Sequence, residues 1–378
     1  MKVIRDKFIL NNNQQQTSDT NKFFTLFNIT FSNLITERKN SFSIFVTSIF
    51  FFFLLSFILF SCSDSTAPPD NGGLDTTSHN FTWTTDTIGE RNTVLYCVSI
   101  INKDNIWIGG YINSDEYNAL HWNGKKWEYI QIRDEQYNIP LTGIEDIWAI
   151  SNDNIWIGIG SIYNYDGTIA NLSYRRNIST GERVTSLWYH APDDIYGVGQ
   201  DGIIVHYDGL KWEKIESTTT TDIKDVWAVY DEDSGKKTIL CTVTKPYQKE
   251  DQRLLSISGH GVNDTMTWDP DKKAMSVWFE KNSPVYVCGS NLCYNTDSIW
   301  ATVEIPNYYL YKIRGSSNSN IFLVGSYGFF VRFDGSKWKI YDQFKVEQGT
   351  LLDVAVTENL VVAVGTIGDR GMIIRGNR

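Results

Sequence analysis

The chain has 378 residues, 42% of them hydrophobic and 14% aromatic, with 13 Trp and a formal net charge of −10. That length suits two average domains or one large all-β domain. Such an acidic surface repels phosphate backbones, so nucleic acid is not an expected partner, and the charge otherwise serves solubility. Residues 1–37 include the polar run Asn11-Asn12-Asn13-Gln14-Gln15-Gln16 and fit neither a signal nor a folded domain. A translation start near Leu34 or Ile35 is expected, the alternative being a long leader. Arg38 and Lys39 then precede an uncharged run of Phe, Ile, Leu and Val from Phe42 to Phe60. A charged segment followed by an apolar one and a small residue reads as a signal peptide, and the run also approaches the length of a membrane anchor.

Leu59-Phe60-Ser61-Cys62 ends that run and resembles the lipobox of bacterial lipoproteins, although Phe60 departs from the small or β-branched residue usual there. The resemblance implies cleavage before Cys62, acylation of its thiol and new amino group, and a firm hold on a lipid bilayer through several acyl chains. Ser63, in place of Asp directly after the Cys, points to the outer membrane. The polar, Pro- and Gly-rich residues from Ser63 to Gly73 cannot build a core and read as a flexible tether. The expected organisation is 1–61 extension and signal peptide, 62–78 lipidated Cys and tether, and 79–378 folded domain.

From residue 79 a motif recurs. His206-Tyr207-Asp208-Gly209-Leu210-Lys211-Trp212 returns as Arg332-Phe333-Asp334-Gly335-Ser336-Lys337-Trp338, and appears earlier as His121-Trp122-Asn123-Gly124-Lys125-Lys126-Trp127. Seven apolar strands can be anchored on Val98, Ile147, Leu187, Val226, Val277, Ile313 and Val354, spaced 36 to 51 residues apart. That is the period of a four-stranded propeller blade. Each unit offers an apolar strand a, a short polar turn, a strand b ending in Gly, a strand c, and an Asp-Gly turn into strand d. The strands are apolar on both faces, as blades covered by neighbours on either side must be. The seventh unit lacks a strand d, and Asn80-Phe81-Thr82-Trp83-Thr84 is left over before the first, so an N-terminal strand is expected to close the ring. The expected fold is an all-β, seven-bladed β-propeller, with six or eight blades as alternatives. Residues 161–183 show no clear hairpin, and Lys245 to Asp251, within the irregular stretch 240–270, suggest an extended loop.

Ile147-Trp148-Ala149-Ile150-Ser151-Asn152-Asp153-Asn154-Ile155-Trp156 and Ile204 to Trp212 resemble the β-propeller repeats of bacterial extracytoplasmic proteins, and Gly109-Gly110 gives a weaker likeness to kelch propellers. This resemblance covers residues 80–378 and implies the fold rather than a function.

The chemistry-bearing residues read mostly as structural. Trp148, Trp188, Trp227 and Trp278 share one repeat position and suit packing between blades, or a sugar-stacking ring. His121 and His206 are equivalent repeat positions, which argues against catalysis. Asp231-Glu232-Asp233-Ser234-Gly235 lacks the distal Glu of a calcium loop. No zinc spacing, nucleophile elbow or phosphate loop is present, so no metal, cofactor or catalytic residue is expected. Cys97 and Cys241 should be free and buried. Cys288 ends a strand b and Cys293 begins a strand c across a tight hairpin, making a cross-strand disulfide a candidate. The expected function is that of a non-enzymatic, lipid-anchored scaffold in the bacterial cell envelope that binds a protein or glycan. The acidic a–b turns Ser151–Asn154 and Ala191–Asp194 are the expected contact surface. The alternative is a propeller-type carbohydrate-active enzyme, a glycoside hydrolase or lyase.

Overall fold

Aspartate or asparagine at the tip of four c–d hairpins explains the local folding best. In the computed structural model, which describes residues 79–113, 117–244, 251–259, 261–266, 268, 272–296 and 299–378, Asp208 Oδ1 accepts from the main-chain N of Leu210 and Lys211 at 2.9 and 2.8 Å. Asp334 does the same for Ser336 and Lys337 at 2.8 Å each, and Asn123 for Lys125 and Lys126 at 3.0 Å each. The glycine after each sits at a positive φ of 86 to 94°, a region only glycine enters freely. These two residues therefore close a tight turn by themselves and set the register of the strands on either side. Residues 161–183 contain the same device: Asp166 accepts from Thr168 and Ile169 at 2.9 Å each, and joins strands Ile162–Tyr165 and Ala170–Tyr174. The signal Tyr165-Asp166-Gly167 was present in the sequence, so the absence of a hairpin expected there is corrected. In the irregular stretch 240–270, Arg253–Ser258 pairs with Lys236–Val243 and with Gly261–Met266; the loop expected at Lys245 to Asp251 lies, but for Asp251, outside the described residues.

These units assemble as seven four-stranded antiparallel sheets. Their innermost strands are Val94–Asn102, Asp146–Ser151, Arg183–Ala191, Ile223–Asp231, Ala274–Trp278, Leu310–Ser317 and Gly349–Val356, for blades one to seven in order. Blade seven takes its outermost strand from the other end of the chain: Thr82–Ile88 pairs with Arg370–Asn377, with Thr82 opposite Asn377 and Ile88 opposite Gly371. The seven blades and the closing N-terminal strand expected from the repeat are thus both present. Trp83 locks the closure. Its ring lies over Gly376, where any Cβ would meet it at 2.4 Å, and makes edge contacts with Phe330, Tyr341 and Phe344 of blade six and its following turn, at centroid distances of 4.8 to 5.4 Å.

The core is distributed around the ring. Each of seven apolar clusters lies between two consecutive blades, for example Val198, Ile204, Val226 and Cys241 between blades three and four, and Ile106, Leu120, Val362 and Ile373 between seven and one. Both faces of every sheet are therefore buried, which is why strand a and strand b read as continuous apolar runs. Trp188 and Trp278 pack into this interior, whereas Trp148 and Trp227 are half-buried and border the axis.

The disulfide is not made. Cys288 and Cys293 are both free and buried. Cys288 stands opposite Leu292 and Cys293 opposite Val287, so the two thiols point to opposite faces of the sheet. Spacing across a hairpin said that the backbones approach; the register decides the faces, and it separates them. Cys62, with the signal peptide and tether expected around it, lies outside the described residues.

Candidate binding site on the propeller axis

The innermost strands converge on an axial channel, and one repeat position, the residue before each anchor, clusters around it, with Cys97, Asp146, Ser186, Lys312 and Asp353 lining the open space. From blade one to seven this position holds Cys97, Asp146, Ser186, Asp225, Ser276, Lys312 and Asp353. Its first use is to tie blades together. Asp353 Oδ2 accepts from Val98 N of blade one at 2.8 Å, Asp146 Oδ2 from Leu187 N of blade three at 2.7 Å, Asp225 Oδ2 from Val277 N of blade five at 3.1 Å, and Ser276 Oγ from Ile313 N of blade six at 3.3 Å. Each bond satisfies a main-chain donor on the inner edge of the next blade, where no further strand exists to do so.

Blade six departs from this pattern. Lys312 cannot accept, and its Nζ instead reaches across the axis to Asp225 Oδ1 at 2.9 Å. Two residues on, Arg314 grips the same carboxylate with both terminal nitrogens, at 2.8 and 2.6 Å, and lies 4.8 Å from the centroid of the Trp227 ring. Burial alone would push the Asp225 carboxyl up, but the Arg314 and Lys312 charges hold it far below the usual range. The opposite side of the axis is less well compensated. Asp146 is pushed up to about 6, first by burial and then by Asp353, against the pull of Lys312. Burial also drives the Cys97 thiol well up, aided by the same two carboxylates, so it is an inert thiol.

Open space surrounds these groups. On the face where the innermost strands begin, here the upper face, a mouth of about 510 Å3 is walled by Tyr96, Tyr111, Thr142, Glu145, Arg183, Gln200, Lys224 and Leu352. It narrows to a throat of about 140 Å3 that adds Tyr311, Met275, Lys312, Asp146 and Asp353. A cavity of about 190 Å3 beyond them is lined by Ser99, Trp148, Trp227 and Arg314. Lys312, Asp146 and Asp353 border both the throat and this lower cavity. At the mouth the charges are paired: Arg183 with Glu145 at 2.6 Å and Lys224 with Asp222 at 2.8 Å. Tyr96 and Tyr111 are 37% and 44% exposed there, and Tyr137 and Tyr327 extend the aromatic surface of the upper face.

The a–b turns open on the lower face and offer a different surface. Asp194 is already held by His206 Nε2 at 2.9 Å and by Lys237 Nζ at 2.6 Å, and Asp231 by Lys281 at 2.6 Å. His206 stacks on Tyr196 at 4.3 Å, and His121, its repeat equivalent, on Trp107 at 4.5 Å with Asn105 as hydrogen-bond partner at 2.9 Å. Both histidines thus join strands within a blade. Among the described residues, no group of three or more His, Cys, Asp or Glu side chains is placed to hold a metal ion, and no helix is long and apolar enough to cross a membrane. The axial groups were missed in the sequence, although Asp or Ser recurring one residue before five of the seven anchors was a visible signal.

No protein-family model matches the chain, and no curated protein sequence matches it. Solved structures do. The chain is similar to YCF48 bound to a D1 peptide, at 11% identity and a TM-score of 0.58, over 78% of this chain and 97% of that one. It is also similar to a catalytically inactive virginiamycin B lyase from Staphylococcus aureus with quinupristin, at 11% identity and 0.60, over 78% and 99%. The WD40 propeller domain of Doa1 matches at 9% identity and 0.61, over 79% and 97%. What they share with this chain is the propeller fold.

Proposed function

We propose that this protein is a non-enzymatic binding scaffold of the bacterial cell envelope, anchored to lipid through Cys62, whose upper mouth holds a segment of a protein partner. The mouth carries the reading: a wide opening on the axis, with exposed Tyr96 and Tyr111 beside paired Glu145 and Arg183. Tyrosines supply large, rigid contact area at small entropic cost, and the adjoining ion pairs supply polar contacts at the rim. Two solved propellers of the same fold carry a D1 peptide or quinupristin in their own structures, which supports the same use of a propeller face here. Selection of displayed peptides, with a glycan array alongside, tests it. Binders should be lost on Tyr96→Ala and Tyr111→Ala; binders indifferent to both would place the contact elsewhere. For the anchor, Cys62→Ala should leave an unprocessed precursor that takes up no labelled fatty acid, and acylation of that variant would refute the lipobox.

The carbohydrate-active alternative has one observation in its favour: Asp146, pushed up to about 6, lies near Asp353 in a solvent-reached channel, as a general acid requires. A screen of glycosidic substrates decides between the readings. Turnover abolished by Asp146→Asn would promote the enzyme.

A further inference from the structure

Counting charge along the axis gives an imbalance. Asp146 and Asp353 line the channel with Lys312 and Arg314, and Asp225 is buried behind these two cations. Both cations bind Asp225, and the mouth charges of Glu145 and Lys224 have partners of their own. One carboxylate is therefore left over in a low-dielectric site, an arrangement that costs energy unless a proton or a cation completes it. The surplus falls on the throat side. Asp353 is 7% exposed; its Oδ2 takes Val98 N while its Oδ1 receives no hydrogen bond among the described residues, although it borders the open space.

Resting on the reading of the mouth given above, we infer that the throat receives a lysine side chain from the protein partner, its ammonium completing Asp146 and Asp353. Three features select lysine. The throat, at about 140 Å3, has room for roughly four or five waters, and so for an unbranched stem in their place. Its walls, Tyr96, Tyr311, Met275 and Leu352, suit methylenes behind a charged tip. The carboxylates suit a point charge better than a planar fork, because Asp146 already accepts a main-chain N–H at each oxygen, Ile147 N at 2.8 Å and Leu187 N at 2.7 Å. A single ammonium can use the acceptor sites that remain without the coplanar approach that bidentate arginine requires.

Binding should also depend on pH. Asp146 faces Asp353 and Lys312 of other blades and the neutral Cys97 thiol of the adjacent blade, with Glu145 beside it in the chain. Held up to about 6 without a ligand, it must release a proton when an ammonium arrives at lower pH, so affinity should fall as pH drops through about 6.

The test is calorimetric titration of the full chain, in detergent micelles at about pH 7.5, with Nα-acetyl-lysine N-methylamide, its norleucine analogue and butylamine. The lysine probe should bind at least about tenfold more tightly than either control, and Asp353→Asn should weaken it by about tenfold or more. The amide keeps an acceptor for Val98 N, so the fold is retained. Leu352→Trp, which fills the throat without touching an inter-blade bond, should weaken it as well. Norleucine binding equally, or both variants binding like the parent, overturns the inference; butylamine binding equally makes the site one for free amines and overturns the partner's lysine. Selected peptides that need Tyr111 but tolerate norleucine in place of every lysine leave the mouth reading standing and overturn this one.

Discussion

On one side of the axis Asp225 is saturated: it takes Arg314 twice, Lys312, Ser276 and the main chain of Val277. On the other, Asp146 and Asp353 occupy the same repeat position, take main-chain donors only, and border open space. The difference shows how a repeat position divides its work. Where the cations of another blade reach it, a buried carboxylate becomes structure; where they turn elsewhere, the same repeat position keeps a carboxylate with capacity for a ligand. The second side is also where the two ends of the chain meet, in blade seven.

Truncation and substitution test that contrast. The largest effect should come from removing residues up to Ile88, which strips the outermost strand from blade seven. Stability should fall by more than about 5 kcal/mol, beyond the range of ordinary substitutions, whereas a truncation stopping before His79 should cost little. Denaturant unfolding of the two truncations is the check, and equal midpoints would mean that the closure contributes nothing. Asp225→Ala comes next. It leaves Arg314 and Lys312 buried without their carboxylate, and about 3–5 kcal/mol should be lost; a loss no greater than that of Asp353→Ala would erase the contrast between the two sides.

Asp353→Ala should itself cost about 1–3 kcal/mol by stranding the Val98 N–H, while Asp353→Asn, which can still accept that bond, should stay within about 0.5 kcal/mol. Chemical melts of the pair separate the inter-blade bond from the charge. The smallest effect is at Asp146. Its carboxyl rises from an ordinary 3.8 to about 6 on folding, so the native state holds more protons than the unfolded one between those values. Stability contributed by this group therefore falls as pH rises through that window, and the penalty is complete above about pH 6. Asp146→Asn should stabilise by about 1 kcal/mol near neutral pH and give no gain near pH 4, the gain being small because one amide oxygen must replace two acceptors. A gain that does not vanish in acid would show that charge is not the cause.

The repeat made the blades, their strand order and the closure by Thr82–Ile88 readable in advance. The hairpin at Asp166-Gly167 was missed because aromatic and Thr neighbours obscured a signal that was nonetheless present. The disulfide failed for a different reason. Cys288 and Cys293 are close in the chain, but a shift of one residue in pairing changes the face of a strand, and sequence spacing does not report register. Of the site, Tyr96, Tyr111 and Leu352 carry no pattern that marks a mouth; they become one when strands from different blades start at the same end of the axis.

By itself, then, the sequence determined what local interactions decide: period-two apolar runs, turns that close within four residues, and a count of units with one strand missing at one end and present at the other. The tertiary structure alone decided the chemistry of the axis. Asp225 meets Lys312 and Arg314 across 87 and 89 residues of chain. Which carboxylate is neutralised and which is left over depends on where blades face one another around a closed ring. Charge compensation acts through space over a few ångströms, and no spacing along the chain encodes that distance.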